Sequence, residues 1–237
     1  MNKFKKDGFL LIQNKTIKSQ INNAKDIFIK YFKKRFGNNP TTNRELIKRF
    51  SDHPYVSSIY TSSTMIKIIK DNIGFKIPVK CGSLVSHYTS NDKTGNSYGL
   101  PYHQDYPSMA SSKCSIILWL NLVDSNKNTH GIEILPSQHS NGLLDGMTDN
   151  TGYILNKKFD NFNSIIPSIK AGDLLIMSSF LPHKTYVNPD YVGSRQGRWK
   201  LSLSQRYDDL ADKDWGIQGY DNAYTITVNR KLYLNKI

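Results

Sequence analysis

The chain of 237 residues is poor in the features that mark secreted and membrane proteins. It has only two cysteines, Cys81 and Cys114, without disulfide-framework or metal-type spacing, so we expect reduced thiols. No run approaches the roughly 18–20 consecutive apolar residues that span a bilayer. The charged start at residues 1–7 has no apolar signal core behind it. These absences predict a cytoplasmic protein without membrane insertion.

Several catalytic and binding signatures are missing as well. There is no glycine-rich phosphate loop, and Ser137 and Ser140 have no base at the spacing of a hydrolase motif. The net charge of +13 comes mostly from lysines spread along the chain, with concentrations at 33–35 and 44–49. A basic surface favours acidic ligands. Because no recognition motif accompanies the charge, we do not expect nucleic acid as a partner.

The pattern of the sequence changes after Gly74. Before it, apolar residues at helical spacing predict a helical layer behind a short first strand. The predicted elements are a strand at 8–12 and helices at 17–36, 43–50 (capped by Thr41 or Thr42) and 54–72. After it, short β-branched and aromatic runs alternate with turn residues. The predicted strands are 83–89, 102–105, 115–123, 131–135, 165–168, 173–177, 183–187 and 198–207.

About eight short strands with turn signals between them predict an antiparallel barrel or a double-sheet jelly roll. The length and the 38% hydrophobic content fit one domain with a single sizeable core. We therefore expect a mainly β fold with an N-terminal helical layer. Its predicted parts are helices over 1–74, a jelly-roll core over 75–210 and a C-terminal extension over 211–237. The oligomeric state is not indicated.

The most informative residues are His103, Asp105 and His183. In a strand, positions i and i+2 point the same way, so His103 and Asp105 can hold one ion together. A second histidine from another segment completes the set of two imidazoles and one carboxylate that binds non-haem Fe(II) and leaves coordination positions open. Zinc also accepts this set in catalytic sites, so the ligand types alone leave zinc open.

Four motifs in order resemble the phytanoyl-CoA dioxygenase-like branch of the Fe(II)/2-oxoglutarate-dependent oxygenases. They are KDGFLLI at 6–12, YHQD at 102–105, the stretch LWLNLVD at 118–124 with GIEILPSQH at 131–139, and AGDLLI at 171–176. Tyr102 replaces the family's usual tryptophan, and Gln138 replaces a serine. The resemblance implies a double-stranded β-helix of the cupin-like kind with a helical N-terminal layer.

The resemblance also implies cofactors and a reaction. His103, Asp105 and His183 would hold Fe(II), and 2-oxoglutarate would be the co-substrate. Dioxygen and a small, polar or anionic substrate would be the other partners, with hydroxylation of a C–H bond releasing succinate and carbon dioxide. Related halogenases have a small residue at the carboxylate position, so Asp105 favours hydroxylation over halogenation.

The far carboxylate of 2-oxoglutarate needs a buried cation, and the two parallel donors of a guanidinium suit it. We expect Arg198 to anchor it, with Arg195 as the rival. Arg206 is the third option, although the sequence favours a surface or packing role for it. On the strand that follows Arg198, alternation places Lys200, Ser202 and Ser204 toward the barrel interior, whereas Trp199, Leu201 and Leu203 pack outward.

Asn121 and Ser202 are the further candidates for contacts with the co-substrate. His87, His130 and His139 are expected to be structural or solvent-facing, and His53, before Pro54, to be a turn residue. Two other functions stay open. One is a cupin-like metal protein without oxygen chemistry, and the other is a basic binding module for nucleic acid or an anionic polymer.

Overall fold

The computed structural model describes residues 3–37, 40–90, 100–109, 112–149, 152–188, 190–191, 199–214 and 226–227. Helices precede the sheets, as the change of pattern at Gly74 predicts. They are α1 (Lys3–Asp7), α2 (Lys15–Ile27), α3 (Pro40–Ser51), α4 (Pro54–Tyr60), α5 (Ser63–Ile73) and, among the strands, α6 (Tyr106–Met109). A π-helical turn at Phe28–Phe32 and a 3-10 turn at Lys33–Arg35 prolong α2. None of the described helices is long and apolar enough to cross a membrane.

Side-chain caps explain where these helices begin. Asn14 Oδ1 accepts hydrogen bonds from the amides of Thr16 and Ile17 and starts α2. The helix predicted over 54–72 is in fact two helices, because Ser62 interrupts it and caps α5 by accepting the amide hydrogen of Met65. The predicted threonine cap of α3 is wrong, since that helix already begins at Pro40.

Ten strands follow the jelly-roll expectation. They are β1 (Phe9–Ile12), β2 (Pro78–Ser90), β3 (Ile116–Asn121), β4 (Gly131–Ile134), β5 (Gly146–Asp149), β6 (Gly152–Leu155), β7 (Leu174–Ser178), β8 (His183–Tyr186), β9 (Trp199–Asp209) and β10 (Ile226–Thr227). The larger sheet has the order β1-β7-β3-β9-β2-β10, and all its pairs are antiparallel. Two smaller pairs, β4-β8 and β5-β6, face it. The predicted fold class is confirmed.

The larger sheet is buried on both faces, and β3 shows why. Every residue of β3 is buried. Leu118 and Leu120 pack with the helices in the main core, whereas Ile117 and Trp119 face a second cluster shared with Ile132 of β4. The helical layer therefore covers one face of the sheet, and the other face lines the barrel interior.

Two expected strands differ from the structure, and one hairpin was not expected. Residues 102–105 form only two isolated bridges, from His103 to His183 and from His103 to Ile154, and residues 165–168 form only the bridge from Ile165 to Ile134. The hairpin of β5 and β6 has no strong alternation of apolar and polar residues, so sequence periodicity missed it.

Gly8 fixes the start of β1. Its φ of +81° is in the left-handed region, and an added Cβ would lie 2.5 Å from the Nδ1 atom of His139. The glycine of the DGF motif thus lets the first strand lie against the turn at Gln138–Asn141. His139 packs there rather than near the three candidate ligands.

Candidate metal centre

The structure brings His103, Asp105 and His183 together. One ligand atom from each lies within 4.8 Å of the others. His103 and His183 are paired by two backbone hydrogen bonds of 3.0 and 3.1 Å, and their ring centroids are 4.3 Å apart. Asp105 follows His103 by two residues, and its Oδ2 atom lies 3.5 Å from His183 Nε2. The strand pairing therefore sets the spacing of the two imidazoles.

Both imidazoles have the same orientation. His103 Nδ1 lies 2.8 Å from the carbonyl oxygen of Pro101, and His183 Nδ1 lies 2.9 Å from that of Leu181. A carbonyl only accepts, so each Nδ1 carries the hydrogen and each Nε2 keeps its lone pair. Metal-ligating histidines usually donate their other ring N–H group to such an acceptor. Burial, and then the neighbouring His103, lower the pKa of His183 to about 4, so this ring is neutral at pH 7.

Asp105 is held by Arg206 of β9. The guanidinium Nη2 atom donates to Asp105 Oδ1 at 2.7 Å, which leaves Oδ2 on the side of the two histidines. Burial alone would raise the pKa of Asp105, but Arg206 and the two imidazoles outweigh it and hold that pKa well below its usual range. The carboxylate is therefore ionised at neutral pH. Two imidazoles and one carboxylate fit a divalent first-row metal ion.

Gln104 fixes the turn between the two ligands. Its Nε2 atom donates to the carbonyl oxygens of Gly142 and Phe180, and its Oε1 atom accepts from the amide of Leu144. The whole amide is thus bonded to neighbouring loops while His103 and Asp105 converge. A side chain between two ligands in sequence therefore has a structural role that the motif alone did not show.

A cavity of about 190 Å³ opens beside these ligands. Lys200, Ser202, Ser204 and Arg206 line it from alternate positions of β9, as strand alternation predicts for the first three. Leu201 and Leu203 pack in the core on the opposite face. Arg206 differs from its expected surface or packing role, because this same alternation turns it into the cavity.

Asn121 and Ser202 are hydrogen bonded to each other. Ser202 Oγ and Trp119 Nε1 both donate to Asn121 Oδ1 at 2.8 Å, and Asn121 Nδ2 donates to Ser125 Oγ at 2.7 Å. Ser202 lines the cavity, so its oxygen can accept there while its hydrogen is engaged. Asn121 orients Ser202 and the indole of Trp119, which also lines the cavity.

The cavity residue Lys184 forms a partly buried ion pair with Glu133 that the sequence did not suggest. Lys184 Nζ lies 3.3 Å from Glu133 Oε2, and it also lies over the ring of Tyr102 at 4.3 Å. Glu133 Oε1 accepts hydrogen bonds from Tyr102 and Ser164. β4 and β8 pair Glu133 with Lys184 directly, so only the strand register could have revealed this contact.

The remaining candidates fall into two groups. Arg198 and Arg195, the expected anchor and its rival, lie outside the described residues. Among the other histidines, His87 lines the cavity, where its ring stacks on Trp119 with centroids 4.7 Å apart. His53 caps α4 through Nδ1, in agreement with its expected turn position.

Comparison with known proteins gives one family match. The family model described as phytanoyl-CoA dioxygenase matches residues 4–189, which include all three candidate ligands. The match ends before β9, so the polar face of that strand is outside it. No curated protein matches the chain significantly.

Solved structures share the fold at low sequence identity. A non-heme monooxygenase, ThoJ, aligns with a TM-score of 0.63 at 12% identity, covering 87% of this chain and 76% of that chain. EctD from S. alaskensis, solved with 2-oxoglutarate and 5-hydroxyectoine, aligns with 0.60 at 10% identity, covering 88% and 74%. The α-ketoglutarate-dependent epimerase SnoN from nogalamycin biosynthesis aligns with 0.54 at 15% identity, covering 87% and 80%.

Proposed function

The chain belongs to the phytanoyl-CoA dioxygenase family, and from this premise we propose that it is an Fe(II)- and 2-oxoglutarate-dependent oxygenase that hydroxylates a small molecule. His103, Asp105 and His183 hold the metal. When bound, Fe(II) and 2-oxoglutarate supply the oxidising chemistry with dioxygen and leave succinate and carbon dioxide. The protein contributes position, charge and a cavity beside the metal ligands.

One observation carries this proposal. Each histidine points its only free nitrogen lone pair, and Asp105 its free oxygen, toward one point at the edge of a cavity. Zinc would accept the same atoms, but membership of this family favours iron. The relatives of similar fold include structures solved with 2-oxoglutarate, which supports the same co-substrate here.

Hydroxylation is the finer part of the proposal. Solved structures of this fold include an epimerase and a carbocyclase as well as monooxygenases, so the fold alone leaves the outcome of oxidation open. Asp105 supports hydroxylation over halogenation because the third protein ligand is retained. A product heavier by one oxygen atom identifies hydroxylation, whereas a product of unchanged mass identifies epimerisation.

The cavity walls favour a small substrate with polar groups. Leu100, Ile132 and Tyr153 give apolar surface on the side away from β9, and Ser108 and Thr185 add hydroxyls. Lys184 is neutralised by Glu133 there, so the region combines apolar contact with hydrogen bonding. A polar small molecule matches this lining.

The contacts to 2-oxoglutarate that the sequence predicts stay predictions. Arg198, the expected anchor, lies outside the described residues. For Ser202, a direct hydrogen bond donated to the co-substrate would require its hydroxyl to leave Asn121. Asn121 reaches the co-substrate only through Ser202 and Trp119 in the present arrangement.

The test has two parts. First, anaerobic addition of Fe(II) and 2-oxoglutarate to the purified protein should produce the weak visible charge-transfer absorption of a 2-oxoglutarate–Fe(II) chelate. Second, a screen of metabolite pools in air should find substrates that stimulate succinate release. A complex that holds the metal and 2-oxoglutarate without visible absorption, or occupancy by zinc with no succinate from any pool, contradicts the proposal.

A further inference from the structure

Three lysine and arginine side chains line the described part of the cavity, and two of them are neutralised within the protein. Arg206 donates to Asp105, and Lys184 pairs with Glu133. Lys200 is the third. Among the residues that the structure describes, no carboxylate and no hydrogen-bond acceptor contacts its ammonium group.

The lack of a described acceptor is unusual because the Lys200 side chain is buried. The side chain is buried, with 4% of the residue exposed, and its Nζ atom lies over the indole of Trp119 at 5.3 Å from the ring centroid. A cation–π contact recovers only part of the hydration that a buried ammonium loses. None of its three N–H donors thus has an acceptor within hydrogen-bond distance among the described residues.

A second buried donor lies near Lys200. His130 is fully buried, and its Nδ1 atom accepts from the amide of Asn188, so the neutral ring carries its hydrogen on Nε2. That Nε2 atom has no hydrogen-bond partner among the described residues. Burial, and then the charge of Lys200, lower the pKa of His130, which places the two groups within electrostatic range. His130 is thus a second buried donor without an acceptor among the described residues, but it is not one of the residues that line the cavity.

The cavity connects this region with the metal ligands. His87 contacts residues of both regions. Its Nε2 atom is 2.8 Å from Ser204 Oγ, and its ring stacks on the indole of Trp119, over which the Lys200 ammonium lies. Burial lowers the pKa of His87 to about 3, and charges at both ends of the cavity, Asp105 and Arg206 at one and Lys200 at the other, act on it. A ligand fixed at the metal can therefore extend along β9 toward Lys200.

We propose that Lys200 binds the carboxylate of 2-oxoglutarate that lies away from the metal, and that this contact makes co-substrate binding depend on pH. The inference rests on the proposed function, and it places the anchoring charge on a lysine rather than on Arg198. The bound carboxylate supplies the acceptor that Lys200 lacks among the described residues. An ammonium ion binds it as a point charge, without the paired donors of a guanidinium.

The pH dependence follows from burial. Desolvation lowers the pKa of Lys200 to about 7, and the described titratable groups that face it, His87 and His130, both have lowered pKa values and are neutral there. Without ligand, Lys200 is protonated below about pH 7 and loses its proton above it. Above pH 7, Lys200 must therefore take up a proton when the carboxylate binds. The Kd of 2-oxoglutarate then rises by up to about tenfold per pH unit.

The experiment is an anaerobic titration of the Fe(II)-loaded protein with 2-oxoglutarate, followed by its visible absorption and by calorimetry at pH 6.5 and pH 8.5. Lys200→Met should raise the Kd by about 30-fold or more at pH 6.5 while Fe(II) binding stays intact. Lys200→Arg should keep the Kd within about tenfold of wild type and remove most of its pH dependence, because guanidinium does not titrate in this range. Lys184→Met is the matched control, a cavity lysine that Glu133 already neutralises, and should change the Kd less than about threefold.

The outcomes separate this inference from the function. If the wild-type protein forms no chelate with Fe(II) and 2-oxoglutarate, the proposed function fails. If it does, an unchanged Kd in Lys200→Met overturns the inference alone, as does a large defect in Arg198→Met or Arg195→Met with none in Lys200→Met. Should Lys200→Met fail to fold, the pH dependence in Lys200→Arg decides: a slope equal to that of wild type contradicts the role of Lys200.

Discussion

The two ends of the cavity differ in what they leave unsatisfied. At the metal end, the free groups are acceptors: the Nε2 atoms of His103 and His183 and the Oδ2 atom of Asp105. At the β9 end, the groups without a partner among the described residues are donors, the N–H groups of the Lys200 ammonium. Acceptors suit a cation, and donors suit an anion.

This difference indicates how one small ligand fits both ends. A keto acid with a second carboxylate can meet the cation with one end and the donors with the other. Arg206, although a cation, belongs to the metal end, because Asp105 engages it. The charge that sequence patterns assign to a residue thus says little about its role until its partner is known.

The largest expected effect is the loss of an acceptor at the metal end. His183→Ala removes one of three protein ligands, so Fe(II) affinity should fall by about 100-fold or more and activity should disappear. Equilibrium dialysis with Fe(II) under anaerobic conditions measures the first, and succinate release the second.

The matched control is His139→Ala, because that ring packs against Gly8 away from the cavity. The control should retain the metal. Equal retention of iron by the His183 variant would show that the three residues are not one metal site.

The next effect tests whether Arg206 belongs to the metal end. Arg206→Gln removes the charged partner of Asp105 Oδ1 and lets that carboxylate rotate. Fe(II) affinity should fall by about 10- to 100-fold, measured without 2-oxoglutarate. Lys200→Met should leave this affinity unchanged. The distinction between the two ends is contradicted if both variants weaken Fe(II) binding equally. It is also contradicted if Arg206→Gln weakens only the binding of 2-oxoglutarate.

Sequence reasoning reached the three candidate ligands because their signal is local. His103 and Asp105 are two residues apart, and the resemblance of the neighbouring motifs indicated His183. Alternation along β9 also placed Lys200, Ser202 and Ser204 inside the barrel, since a strand allows only two directions. The helical layer ahead of most of the strands follows from periodicity of the same local kind.

The partners of the charged residues were beyond that reasoning. Arg206 meets Asp105 across about a hundred positions of sequence, and Glu133 meets Lys184 through the register of β4 and β8. Both contacts depend on how strands pair, which one sequence does not encode as a pattern. Lys200 has no acceptor among the described residues. This distinguishes it from Arg206 and Lys184, so it becomes apparent only once the partners of those two residues are known.

The smallest expected effect is on protein stability, and it tests whether Lys200 is unpaired at the β9 end. An unpaired buried ammonium costs stability, so Lys200→Met should stabilise the ligand-free protein by at least about 1 kcal/mol, or roughly 2–4 °C in Tm, at pH 6.5. The folded-state pKa of Lys200 lies below its unfolded value, so the cost is full below pH 7 and shrinks as pH rises toward 10. The gain in Tm should therefore be smaller at pH 9. Thermal unfolding of both proteins at the two pH values measures it, and a destabilised variant at pH 6.5 would indicate a hidden anionic partner.

The most direct test of the two-ended cavity is a crystal structure of the protein grown anaerobically with Fe(II) and 2-oxoglutarate. We predict one iron ion bound by His103, Asp105 and His183, with the far carboxylate of 2-oxoglutarate within hydrogen-bond distance of Lys200 Nζ. A carboxylate bound by Arg198 or Arg206 instead, with Lys200 still unpaired, would contradict the account.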